Sequence, residues 1–71
     1  MMYEKILNEN IDRLDISCSI IDYLKKNNIE KINQLCKNTK RDLIKLKIDS
    51  VEIFNIENQL QLLGLNLKSS Y

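Results

Sequence analysis

With no proline and a single glycine, Gly64, in 71 residues, this chain has few places where its backbone can break or reverse at low cost. So few breakers favour helices joined by short connections. A small all-β protein would need many more turn residues than are present. The length allows one domain and no more. A domain of this size buries only about 60% of the surface its unfolded chain exposes, so its core must be economical and leaves little room for a deep substrate pocket. Apolar residues make up 44% of the chain and charged residues 30%, enough apolar content for a folded core.

Residues 1–10 form an N-terminal segment. Within it Tyr3 to Leu7 has the character of one or two helical turns, and Asn8 to Asp12 reads as a polar connection. Leu14 and Ile16 alternate with Asp15 as a short extended lead-in. Ser17 is a good N-cap for a first main helix running to about Asn27. Ile20, Ile21 and Leu24 fall on one face of it, and Lys25 and Lys26 complement its negative end. Asn27-Asn28 ends that helix, and Ile29 is an apolar hook. A second helix is expected from about Glu30 to Lys37, turning Ile32, Leu35 and Cys36 inward.

Thr39 and Asp42 can each bond the other's backbone N–H, a capping box that opens a third helix through about Lys45, with Leu43 and Ile44 apolar. Lys47-Ile48 is the hairpin. Asp49 and Glu52 form a second capping box and open the last and longest helix, which ends at Gly64 in an expected left-handed conformation. Ile53, Ile56, Leu60 and Leu63 make a stripe at helical spacing. Leu65 and Leu67 are expected to fold back on the core, and Lys68 to Tyr71 reads as a frayed tail. The domain proper spans residues 11–68, with 69–71 as tail. The fold class is all-α: a compact bundle of four to five short helices with a helix-hairpin-helix core.

Several function classes drop out. The net charge is +1, whereas a dedicated nucleic-acid binder of this size is usually clearly basic, so any basic surface must be a local patch. No apolar run is long enough to cross a membrane, and the N-terminus has no signal-peptide core, which points to a cytoplasmic protein. The Met1 start and compact length point to a free-standing one. Cys18 and Cys36 are 18 residues apart and there is no histidine, so no zinc set is expected; the ordinary reading is two reduced cysteines. No cofactor or small-molecule substrate is indicated. No catalytic constellation stands out either. Ser17, Ser19 and Ser50 are better explained as caps or surface residues, and Asp12 and Asp15 as solvated carboxylates. The basic run Lys37-Asn38-Thr39-Lys40-Arg41 reads first as a solvated helix start.

The order of these elements carries a resemblance. The stretch from Ile11 to Leu67 resembles the C-terminal domain of the bacterial RNA polymerase α subunit, a helix-hairpin-helix domain with a SAM-like fold. The likeness rests on Leu14, Ile16 and Ser17, on Tyr23-Leu24-Lys25, and on Asn28-Ile29. It continues through Asp42-Leu43-Ile44, the Ile53, Ile56, Leu60 stripe, and the ending Leu63-Gly64-Leu65-Asn66-Leu67. The final Gly-Leu-x-Leu is the most specific part. The resemblance implies a domain that binds the DNA minor groove and docks on transcription activators. In that family an Arg and an Asn early in the first main helix touch DNA, as does a Leu-Gly-Lys-Lys-Ser hairpin.

At those positions this chain departs from the pattern. The Arg position is Ser19 and the Asn position is Asp22; the hairpin Gly is Asp49, the two lysines are Ser50 and Val51, and the Ser is Glu52. Lys25 remains, with Lys26 beside it. Three cationic positions have become neutral or apolar, and three others acidic. Minor-groove binding needs cations in a zone of strong negative potential, so both changes weaken it. Asp49 and Glu52 would also occupy the N–H groups that an open helix start could offer a phosphate.

Val51, Phe54 and Leu62 lie roughly opposite the core stripe of the last helix, with Ile20 and Tyr23 flanking the same region. An apolar patch rimmed by Asp22, Asp49 and Glu52 suits a protein partner better than a nucleic acid. It could be a homodimer or partner surface, be covered by Tyr3, Ile6 and Leu7, or stand exposed. The expected function is a non-catalytic, transcription-associated protein-interaction module that docks on polymerase, a sigma factor, a regulator or itself. The alternative is a weak DNA-binding transcription domain using Lys25, Lys26, Lys37, Lys40 and Arg41.

Overall fold

The computed structural model describes residues 2–69, with the side chains of Met2 and Tyr3 left aside. Among the described residues five α-helices form: α1 (Met2–Leu7), α2 (Cys18–Lys26), α3 (Ile32–Cys36), α4 (Lys40–Lys45) and α5 (Ser50–Leu62); a 3-10 turn, Ile11–Arg13, lies between α1 and α2. No strand ladder forms among the described residues, so the class is the expected all-α one.

Three helices, α2, α4 and α5, begin where a side chain meets their free N–H groups. Ser17 Oγ accepts from the Ile20 N–H at 3.2 Å. Thr39 and Asp42 make the full reciprocal box, at 3.0 and 2.9 Å. The second box forms only by half. Asp49 Oδ1 accepts from the Glu52 N–H at 2.9 Å, but no return bond from the Glu52 carboxylate is made. α3 starts later than expected, at Ile32, because Glu30 and Lys31 are drawn out to meet the N-terminal segment. Gln34 Oε1 accepts both of their N–H groups, at 2.8 and 2.9 Å.

Three helices end the same way. After α2, α4 and α5 the backbone enters the left-handed region at Asn28 (φ 66°), Lys47 (φ 69°) and Gly64 (φ 76°). In each case the next N–H reaches back to the carbonyl five residues earlier: Ile29 to Leu24 at 2.9 Å, Ile48 to Leu43 at 3.2 Å, Leu65 to Leu60 at 2.8 Å. These are Schellman caps, and the apolar pair expected across the motif is present in all three. Only the last has the glycine that the conformation favours. Lys47 carries a side chain where a left-handed backbone costs roughly 1–2 kcal/mol. Lys47→Gly is therefore expected to raise stability by up to about 1 kcal/mol after the entropy glycine adds to the unfolded state. A urea titration followed by circular dichroism checks it.

The core is wholly aliphatic. Twelve isoleucines and leucines are buried, from Ile11 to Leu60, and no polar or charged side chain joins them among the described residues. Ile53, Ile56 and Leu60 carry the α5 stripe as expected, while Leu63 is only partly buried. Cys36 is likewise only partly inward. Ile11 corrects the reading of residues 8–12 as a polar connection: it is fully buried. Its N–H bonds the Glu30 carbonyl at 2.9 Å, and the Ile32 N–H bonds the Glu9 carbonyl at 2.9 Å. A lone isoleucine among polar residues has no periodicity to reveal it.

Lys68 is likewise not frayed. Its N–H donates to the Asn38 carbonyl at 3.0 Å and it pairs in parallel with Thr39, tying the end of the fold to the start of α4. Of the rest of the expected tail Ser69 is exposed, and Ser70 and Tyr71 lie outside the described residues.

Candidate functional site

α2 and the α4–α5 hairpin enclose an open cleft of about 400 Å³, lined by Ser19, Ile20, Tyr23, Lys47, Ile48 and Asp49. The Schellman cap of α4 sets its far wall. Because Ile48 is buried, Lys47 and Asp49 on either side of it are thrown outward. The near wall is the first two turns of α2, whose inner face is fixed by Ile21 and Leu24. A single hydrogen bond joins the walls: the Tyr23 hydroxyl donates to the Leu46 carbonyl at 2.6 Å. Tyr23, expected as a surface apolar residue, thus uses its polar end as a tether.

The cleft brings together positions far apart in sequence that the family resemblance pairs, Ser19 on α2 and Asp49 on the hairpin. Neither is idle. Ser19 Oγ lies 2.9 Å from Ser17 Oγ, within the cap of α2, and Asp49 caps α5. Asp22 and Ser50 are exposed, and Glu52 is half-buried in the first turn of α5. Lys47 is the cation that sequence reasoning missed. In the sequence it reads only as part of the hairpin, and its outward course depends on a left-handed turn with no glycine to announce it.

Lys25, the family cation that remains, is engaged elsewhere. Its Nζ donates to both Asp12 carboxylate oxygens, at 3.0 and 2.8 Å. That hydrogen bond, with smaller help from Asp12, Asp22 and Glu30 as charges, holds the ammonium pKa above the usual lysine value. Lys26 is exposed beside it. Lys37, Lys40 and Arg41 stand at the α3–α4 junction rather than on the cleft.

Of the apolar patch residues, Val51 and Phe54 are 65% and 62% exposed, and Ile20 is half-buried. The idea that the N-terminal segment covers them is overturned for its described side chains. α1 packs on α3, and Ile6 and Leu7 join the core there; Tyr3 lies outside the described side chains. Leu62 is the most exposed at 78%, but eleven residues of helix, about 16 Å, separate it from Val51, with exposed Asn55 and Asn58 between them.

Both cysteines are free thiols, Cys18 exposed and Cys36 partly buried, and burial pushes the Cys36 thiol up, away from the thiolate. Among the described residues no group of three His, Cys, Asp or Glu side chains could hold a metal. No helix there is long and apolar enough to cross a membrane.

Known proteins share this pattern. Residues 2–48 match the family model for the C-terminal domain of the bacterial RNA polymerase alpha chain. The match ends one residue before Asp49. DNA-directed RNA polymerase alpha subunits of Clostridium botulinum strains Hall and Langeland are each 31% identical over 68 residues, covering 94% of this chain. The chain spans 22% of the length of these relatives.

Proposed function

The protein belongs to the family of C-terminal domains of the bacterial RNA polymerase alpha subunit, and from that membership we propose a non-catalytic, cytoplasmic protein-interaction module of the transcription apparatus whose minor-groove contacts have been replaced. The observation that carries this reading is the head of α5. There the Asp49 carboxylate holds the Glu52 N–H at 2.9 Å. The helix start that could receive a phosphate is occupied by the protein's own anion, and a DNA phosphate approaching it meets like charge.

Two further features support it. Lys25 is held by Asp12, so using it on DNA means breaking that pair first. The cleft itself balances one cation, Lys47, against Asp49. Next to the cleft, the head of α5 exposes Val51 and Phe54 close in sequence to Asp49 and Glu52, apolar carbon with carboxylates about it that suits a protein surface. The partner classes are polymerase, a sigma factor, a regulator or a second copy.

The alternative, weak DNA binding through Lys25, Lys26, Lys37, Lys40 and Arg41, divides these cations between the end of α2 and the α3–α4 junction. The test is fluorescence anisotropy with an A·T-rich duplex over a salt series. The expected result is weak binding and a shallow dependence of log K on log salt. Tight binding at moderate salt with a steep slope would overturn the proposal.

A further inference from the structure

Charge is unevenly spread over this fold. The outer face of α4 and its flanks carry Lys37, Lys40, Arg41, Lys45 and Lys68 against one carboxylate, Asp42. That is a net +4 in a protein whose total is +1, which leaves −3 for everything else. Lys68 joins the group only through the fold, since its pairing with Thr39 sets it at the start of α4. Asp42 is turned inward to cap Thr39. None of the five cations enters an ion pair among the described residues, whereas Arg13 and Lys25 elsewhere are bound to Glu9 and Asp12.

Among these cations stands Ile44, 55% exposed. It is one turn from Lys40 and Arg41 and adjacent to Lys45, so it is an apolar centre with a cationic rim. The head of α5 is its counterpart: Val51 and Phe54 are exposed there, with Asp49 at the N-cap and Glu52 in the first turn, two carboxylates against the one cation of the adjoining cleft, Lys47. The two faces do not pair within one molecule, since no ion pair joins them among the described residues.

We propose that this domain associates head to tail with a second copy of itself, the α4 face of one molecule docking through Ile44 on the Val51–Phe54 face of the next. One molecule carries both halves of the contact: opposite charge at the rim and exposed aliphatic or aromatic carbon at the centre. A phosphate backbone would use the cations but leave Ile44 without a role, and neither described aromatic residue, Tyr23 on α2 or Phe54 on α5, belongs to α4. Such a contact is heterologous, so each added molecule leaves one free face of each kind. The proposal rests on the interaction reading above for its acidic half and adds the partner.

The test is sedimentation of the 71-residue protein, without DNA, at rising concentration and low ionic strength. The expected result is a mean mass that grows with concentration and falls back with added salt. Lys40→Glu/Arg41→Glu closes the basic face, and Val51→Ser/Phe54→Ser closes the acidic one without adding a cation that the first variant could bind. Each double variant alone is expected to stay monomeric, and an equimolar mixture to stop at the mass of two molecules, because each variant keeps the face the other lost. Circular dichroism checks that each variant is folded, and Ile44→Ser replaces the first pair if it is not. A monomeric wild type, association that survives either pair of substitutions, or a mixture that stays monomeric overturns the proposal. The protein-interaction reading fails separately, on the duplex titration.

Discussion

Replacing Leu43 by alanine is expected to cost about 3 kcal/mol, the usual size for a fully buried leucine in a core that cannot collapse onto the gap. Leu43 is fully buried and does two jobs. Its side chain is the main apolar anchor of a helix only six residues long. Its carbonyl accepts the Ile48 N–H that closes the turn into the hairpin. In a domain of this size 1 kcal/mol moves the melting temperature by roughly 4–8 °C, so Leu43→Ala is expected to melt at least about 12 °C lower. Circular dichroism on heating measures it. A shift of only a few degrees would mean that α4 can repack, and that the hairpin is less firmly placed than its geometry implies.

The second large effect is a gain. Ser19→Arg, Asp49→Gly, Ser50→Lys and Val51→Lys together restore the cations and the open helix start of the family pattern. Three new phosphate contacts are expected to steepen the slope of log K against log salt by about 2.7, from roughly 0.9 per contact. Loss of the Asp49 cap is tolerable, since glycine in place of an aspartate cap costs only a few tenths of a kcal/mol. The measurement is the anisotropy titration used for the wild type. If the slope does not move, the cleft does not present these positions to a duplex, and the replacement of DNA contacts is not what closed this surface to nucleic acid.

Local signals were the ones the sequence exposed. Ser17 and Thr39 are short polar side chains set before apolar periodicity, and each caps the helix expected of it. Gly64 marked its left-handed turn directly. Long-range closure was not visible. Nothing near Ile11 announces its burial, because the cavity it fills is built by residues around Glu30 and Ile32. The Lys68–Thr39 pairing and the Lys25–Asp12 clamp join residues whose meeting depends on the finished fold.

The same division runs through the site. That Ser19 and Asp49 belong to one surface followed from the resemblance, and they line one cleft. Lys47 on that cleft did not follow, since a lysine in a left-handed turn has no composition cue. The missing return bond from Glu52 is a matter of side-chain rotamer, which spacing cannot decide.

An interior made only of hydrocarbon has a consequence for how this protein meets acid and alkali. Among the described residues no ionisable group lies within the fully buried core, and only the partly buried Cys36 thiol at its edge is stripped of some water, so the buried core itself exchanges no protons on unfolding. The groups whose pKa values move mark the two ends of the range. Asp42 is held below the ordinary carboxylate value, chiefly by the Thr39 N–H, so its contribution is present above the unfolded pKa and lost as pH falls through the lowered one. Lys25 is raised by its hydrogen bond to Asp12, so its contribution is lost as pH climbs through the raised value. Burial raises the Cys36 thiol in the same direction, and its contribution fades over the same alkaline end. Melting temperature plotted against pH is expected to trace a broad plateau through neutrality with shoulders at both ends, and a sharp maximum near neutral pH would contradict it. Charges on the protein's surface, such as those of Asp49 and Glu52, can then change while the foundation beneath them stays indifferent.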